Sequence, residues 1–233
     1  MLEILQGLEF TPFLLSFKLA AVTTIILFII CLPLAWYLSQ TTSRVKPFLE
    51  AIAALPIVLP PSVLGFYILY ALSQNSPIGA FFDEYFDVKL VFNFTGLVIA
   101  SSFYSLPFMV QPLQGGFEKI NKNMLEASYL SGKSKFQTLI KVALPNIKPA
   151  LLTAIIITFA HTVGEFGVVL MVGGSIPGDT KVASVAIYEM VEIMDYDSAH
   201  IYSGIMLIMS FLVLLSVYIF NHKQNNSFTG FHK

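Results

Sequence analysis

Apolar residues in this chain run in five long blocks, near Pro12–Tyr37, Phe48–Leu72, Phe94–Leu113, Ile147–Val172 and Ala199–Phe220. A hydrocarbon core about 30 Å thick takes about 20 residues of helix to cross. Backbone groups inside lipid must bond to one another, so each block predicts a transmembrane helix. The expected fold is an all-α integral membrane domain of five spans over residues 1–222. A cytoplasmic connection at 118–146 and a polar tail at 223–233 complete it.

Composition agrees with the pattern. Hydrophobic residues make up 56% of the chain and charged ones 12%, against about 25% charged in soluble domains, and the mean hydropathy is +0.76. A formal charge of −1 and the lack of a basic, aromatic-interleaved surface argue against nucleic acid as a partner. Cys31 lies inside the first block, has no second cysteine to pair with, and reads as a small buried apolar residue.

Charge sets the expected orientation. Glu3 and Glu9 precede the first block while Arg44 and Lys46 follow it, the reverse of a cleaved signal peptide. With the N-terminus outside and the C-terminus in the cytoplasm, ten of the thirteen basic residues fall inside, leaving Lys18, Lys89 and Lys181 outside. Lys18 is near enough to the outer end to snorkel. The outer loops, roughly 73–93 and 173–198, carry turn signals at Ser76-Pro77 and Pro177-Gly178, and a helix is predicted around Val182–Glu192.

The segment between the third and fourth spans is too polar to insert but is patterned for helix. Asn121 or Asn123 can cap its start, Leu125, Tyr129 and Leu130 form an apolar stripe, and Gly132 stops or bends it. A second short helix is expected through Phe136–Val142 before Leu144-Pro145. Ser131-Gly132-Lys133-Ser134 imitates the end of a phosphate-binding loop, but Ala127 occupies the place of the required first glycine and no strand precedes it. This chain is therefore expected to bind no ATP.

Glu126-Ala127-Ser128, Gly132, Val142 and Leu144-Pro145 have the spacing of the cytoplasmic loop in the permeases of ABC importers. The segment resembles that loop with two departures, Ser128 for alanine and Val142 for isoleucine. Further resemblance covers Leu55–Gly65, Ser105-Leu106-Pro107, Gly164-Glu165-Phe166-Gly167 and Gly173–Thr180, which look like molybdate permeases. Sulfate and tungstate permeases share part of it. The resemblance implies a coupling helix seated in an ATPase subunit, with ATP and magnesium on that partner and no cofactor on this chain. It also implies two permease copies, two ATPase subunits, an extracytoplasmic oxyanion-binding protein, and a non-catalytic role for this chain in alternating access.

Polar and helix-breaking residues inside the spans are candidates for the translocation path or gate. Pro56, Pro60 and Pro61, with Ser62 beside them, free carbonyls of the second span that protein or water must meet. Thr158, His161, Thr162 and Glu165 fall at i, i+3, i+4 and i+7 and predict one polar stripe on the fourth span. Glu165 would repel an anion. It reads as a gate or structural residue bonded to His161 or a backbone donor, held protonated, or sited at the outer interface. His161 and Glu165 are too few to hold a metal. Gly164 and Gly167 permit close helix contact, at a subunit interface or within one bundle. The rival reading is an ion-coupled secondary transporter using Glu165 and His161 as a proton relay. Such folds are built on internal repeats, and none is visible.

Overall fold

The computed structural model describes residues 9–229 and, among them, contains helices and turns only. Helix α1 (Thr11–Gln40) opens on Pro12, whose missing N–H is harmless in a first turn, and runs through Pro33 unbroken. Lys18 lays its ammonium over the Phe94 ring at 4.4 Å.

The second span departs from expectation. It is not one helix over 48–72 but two, α2 (Lys46–Val58) and α3 (Pro61–Leu72), bent by 112° at the break. The cause is local: a residue before proline is disfavoured in the helical region, and here two such residues are consecutive. Leu59 (φ −72°, ψ 134°) and Pro60 (φ −55°, ψ 138°) are both extended.

Helix α4 (Pro77–Phe86) is capped by Ser76, whose hydroxyl accepts from the Gly79 N–H at 2.9 Å. Helix α5 (Phe94–Glu118) starts on the Asn93 cap and keeps Pro107 and Pro112 inside it. The connection at 118–146 folds as α6 (Lys122–Leu130), α7 (Lys135–Thr138), a π turn (Leu139–Ala143) and α8 (Leu144–Asn146). After a bend of 82°, α9 (Lys148–Val163) begins.

The fourth span, expected whole over 147–172, is also broken: α9 stops at Gly164 and α10 (Gly167–Gly173) resumes after Glu165-Phe166. Helix α11 (Ala183–Glu192) occupies the position predicted for an outer-loop helix. Helix α12 (Tyr196–Thr229) carries helical structure into the segment expected to be a polar tail. Glu3 and residues 230–233, with Lys233, lie outside the described residues. Helices α1, α5 and the Tyr196–Ser216 part of α12 are each long and apolar enough to cross a bilayer. Two bent pairs, α2 with α3 and Lys135–Asn146 with α9, bring the number to five if each is one crossing.

The core is layered along the bundle. At one end Leu27, Cys31 and Leu38 of α1 pack with Met109, Leu113 and Phe117 of α5 and with Leu139, Ala143 and Ile147, so the connecting loop is rooted in the bundle. At the other end Leu15 and Leu19 meet Leu97, Val169 and Val182. Helix α3 is bound to α10 through Ile68 and Leu72 against Val168 and Val172. A Cβ on Gly167 would lie 2.8 Å from the Pro61 Cβ, so that approach requires glycine.

Candidate functional site

The loop at 118–146 is a compact helical knob built from local signals. Asn121 caps α6 by accepting from the Asn123 N–H at 3.0 Å. The helix buries Leu125 and Ser128 and leaves Glu126, Ala127 and Leu130 exposed, Leu130 by 89%. Gly132 ends the turn at φ 77°, with its N–H bonded to the Tyr129 carbonyl at 2.9 Å. No atom crowds it, so its glycine is explained by backbone conformation alone. Ser134, the last residue of the false phosphate-loop motif, caps α7 in a reciprocal box with Gln137.

Ser128 has a larger role than its small size suggested. Its Oγ lies 2.9 Å from Oγ1 of Thr138, both residues are buried, and the pair fastens α6 to α7. A threonine in the otherwise apolar inward face of the second helix was the available signal. Pro145 can offer no N–H to the Lys141 carbonyl. The π turn absorbs this, with the Leu144 N–H reaching back to Leu139 and the Asn146 side chain donating to the Val142 carbonyl at 2.7 Å. Val142 and Leu144 are half-buried and Pro145 is exposed.

The polar residues of the fourth span divide into two groups. Thr158, His161 and Thr162 share one face of α9. Ser105 of α5 holds two of them, its Oγ lying 3.1 Å from His161 Nδ1 and 2.9 Å from Thr162 Oγ1. Thr162 donates to the Thr158 carbonyl at 2.9 Å, and the His161 ring stacks on Phe108 with centroids 3.8 Å apart. Glu165 is not part of this stripe. The helix ends before it, so the expected i+4 bond from His161 is replaced by the bond to Ser105.

Glu165 instead sits in the break with its side chain buried, 4% exposed, and neither carboxyl oxygen has a hydrogen-bond partner. Ser101 of α5 stands near enough to polarise the carboxyl but falls short of a closed hydrogen bond, so its hydroxyl is likewise unpartnered. The Glu165 carbonyl accepts from the Ser184 hydroxyl at 2.5 Å, which ties the break to α11. Of the second-span candidates, Pro56 is buried, while Pro60, Pro61 and Ser62 are exposed around the bend. Gly167 serves packing within the chain, and Gly164 has only carbonyls of its own helix near it.

One polar cluster was not anticipated from the sequence. Lys46 Nζ lies 3.0 Å from Glu118 Oε1 and 3.7 Å from Glu50 Oε1. The Gln114 amide donates to both carboxylates, at 2.5 Å to Glu50 and 2.9 Å to Glu118. These four residues join the start of α2 to the end of α5, beside a hollow of about 540 Å³ whose lining includes Glu126 and Tyr129 of the loop.

A protein-family model described as binding-protein-dependent transport system inner membrane component matches residues 20–226. Over 204 residues the chain is 47% identical to the molybdenum transport system permease protein ModB of Azotobacter vinelandii, covering 88% of this chain and 90% of that one. It is 32% identical to the sulfate transport system permease protein CysT of Salmonella typhimurium, over 79% of this chain and 66% of the relative. Among solved structures, a bacterial ABC transporter involved in the import of the acidic polysaccharide alginate superposes with a TM-score of 0.76. That match has 15% identity and covers 91% of this chain and 78% of the other.

Proposed function

This chain belongs to the family of binding-protein-dependent transport system inner membrane components, the permeases of ABC importers, and on that premise we propose that its cargo is an oxyanion, molybdate. The observation that carries the choice of cargo is the extent of its similarity to a molybdenum permease, over about nine tenths of both chains. Similarity to sulfate permeases keeps sulfate, with tungstate, as the alternative.

In this reading the working importer contains two copies of the chain, two ATPase subunits that hold ATP and magnesium, and an extracytoplasmic binding protein. Residues 118–146 dock on the ATPase. Glu126, Ala127 and Ser128 belong to the docking helix, Gly132 sets its turn, and Val142, Leu144 and Pro145 tie it to the bundle. Support comes from the build of the loop: α6 and α7 are fastened by Ser128 and Thr138, and Leu130 and Phe136 stand 89% and 70% exposed, as a surface made to be covered.

ATP closure of the ATPase dimer draws the two loops together and turns the permease from inward- to outward-open; hydrolysis resets it. The chain makes and breaks no bond. Pro56, Pro60, Pro61 and Ser62 at one helix break, and Thr158, His161, Thr162 and Glu165 at or before the other, line or gate the path. No basic residue lies deep in a span, and Glu165 disfavours an anion, so selectivity rests with the binding protein. The N-terminus faces outward and the C-terminus the cytoplasm.

Reconstitution of the permease with ATPase and binding protein in vesicles tests the reading. Molybdate uptake should require ATP inside the vesicle and be competed by tungstate. Uptake driven by an ion gradient through this chain alone would overturn it.

A further inference from the structure

We propose that Lys46, Glu50, Gln114 and Glu118 form a latch that carries movement of the coupling loop to the broken helix pair α2–α3. The proposal rests on the assignment of residues 118–146 as the ATPase-coupling loop. Glu118 is the last residue of α5 and leads directly into that loop, with Asn121 capping α6 three positions on. Lys46 is the first residue of α2, whose far end is the break at Leu59-Pro60. A displacement of the loop therefore acts first on the carboxylate that Lys46 holds.

The apolar attachment of α2 is thin. Of its thirteen residues only Ala53 and Pro56 are buried, whereas Phe48 and Val58 are 64% and 80% exposed. Leu49 and Ala53 pack on the core shared with α5, and the polar contacts add a second tie at the start of α2. They also balance charge. One ammonium and one amide hold two carboxylates on facing helices; without Lys46, Glu50 and Glu118 repel across the same gap. Exposed ion pairs contribute little to stability, which suits a contact that must open in every cycle. A hollow of about 300 Å³ between the two helices, lined by Ala54, Gln111 and Gly115 among others, leaves space for the movement.

The test uses the whole importer in vesicles and reads molybdate taken up per ATP hydrolysed. Lys46→Met and Glu118→Gln should each lower that ratio by about fivefold with assembly unchanged. The exchanged pair K46E/E118K should return it to within about twofold of the wild type, because the attraction is restored with its ends reversed. A loss caused by the packing of either stem alone would not be rescued by exchange, and a purely structural ion pair would show as impaired assembly in the single variants. If both single variants keep the wild-type ratio while Gly132→Pro loses it, the loop couples without the latch and the proposal is overturned. Exchange no better than the single changes also overturns it. If Gly132→Pro itself leaves the ratio intact, the coupling-loop assignment falls and the latch with it.

Discussion

The connecting loop and the interior break at Glu165 treat polar groups in opposite ways. In the loop each buried hydroxyl has a partner, as Ser128 and Thr138 show, and the helix ends are closed by Asn121 and by the Ser134–Gln137 box. At the break, the Glu165 carboxyl and the Ser101 and Thr158 hydroxyls are buried without partners. A buried polar group left unpaired is costly. The loop is therefore closed by its own bonds, a build that suits the lever proposed above. The break has no such closure among the described residues.

Breaking the lever gives the largest expected effect. Gly132→Pro demands φ near −65° where the chain has 77° and removes the N–H bonded to Tyr129. Uptake should fall by about tenfold or more while ATP hydrolysis continues and membrane insertion is unaffected. Uptake and substrate-stimulated hydrolysis at wild-type levels would remove the coupling role.

Next in size is Glu165→Gln, which keeps the side chain's volume and replaces its ionisable carboxyl by an amide. Its unpartnered carboxyl lies at the break between α9 and α10, so changing it alters the contacts there. The uptake rate should change by about threefold or more in either direction. The order of preference among molybdate, tungstate and sulfate should stay the same. Competitive uptake with one binding protein throughout measures both. A reversed order would show that the permease discriminates, against the reading that selectivity lies outside the membrane.

The loop's pairing can be examined apart from transport. Ser128→Ala leaves the Thr138 hydroxyl buried and alone, an expected loss of about 1–3 kcal/mol. The double change S128A/T138V removes both partners and should recover most of that loss, since the resembled family pattern has alanine at this position. Thermal unfolding in detergent, compared across the single and double variants, decides it. Additive losses would mean that the two hydroxyls do not depend on each other.

Much of the loop was legible in the sequence because its signals are local, an asparagine cap and a glycine at positive φ; the stripe of Leu125, Tyr129 and Leu130 was not, since only Leu125 is buried. The five apolar blocks were legible through their length. Their two breaks were not. Proline marks where a helix is disturbed, yet Pro33, Pro107 and Pro112 remain inside helices, and only the consecutive Pro60-Pro61 forces two residues in a row into extended backbone. The polar stripe ending on Glu165 assumed a continuous helix, while Gly164 and Gly167 on either side were the hint that it stops. The cluster around Lys46 was out of reach, since its bonds join residues 64 and 72 positions apart. Nothing in the spacing of residues on one helix shows which distant helix faces it.

The smallest expected effect asks whether the end of the molecule away from the loop is as fully paired as the loop itself. Lys181, in the turn after α10, forms an ion pair with Glu189 of α11. Burial works to raise the Glu189 pKa, but the hydrogen bond from Lys181, the Ser175 hydroxyl and the Lys181 charge together outweigh it, so the carboxyl is held below its ordinary value of 4.5. A carboxylate whose folded-state pKa is depressed contributes stability in full above its unfolded value and loses it as pH falls through the folded one. Both side chains are part-exposed, so the contribution should be small, roughly 0.2–1 kcal/mol. Thermal unfolding of the wild type and of Lys181→Met should therefore differ slightly and constantly from neutral pH down to about pH 5, then converge below it as Glu189 takes up its proton. A difference that persists undiminished in acid would show that Lys181 acts through packing of its stem and not through charge, leaving that end of the bundle without the electrostatic closure seen in the pair.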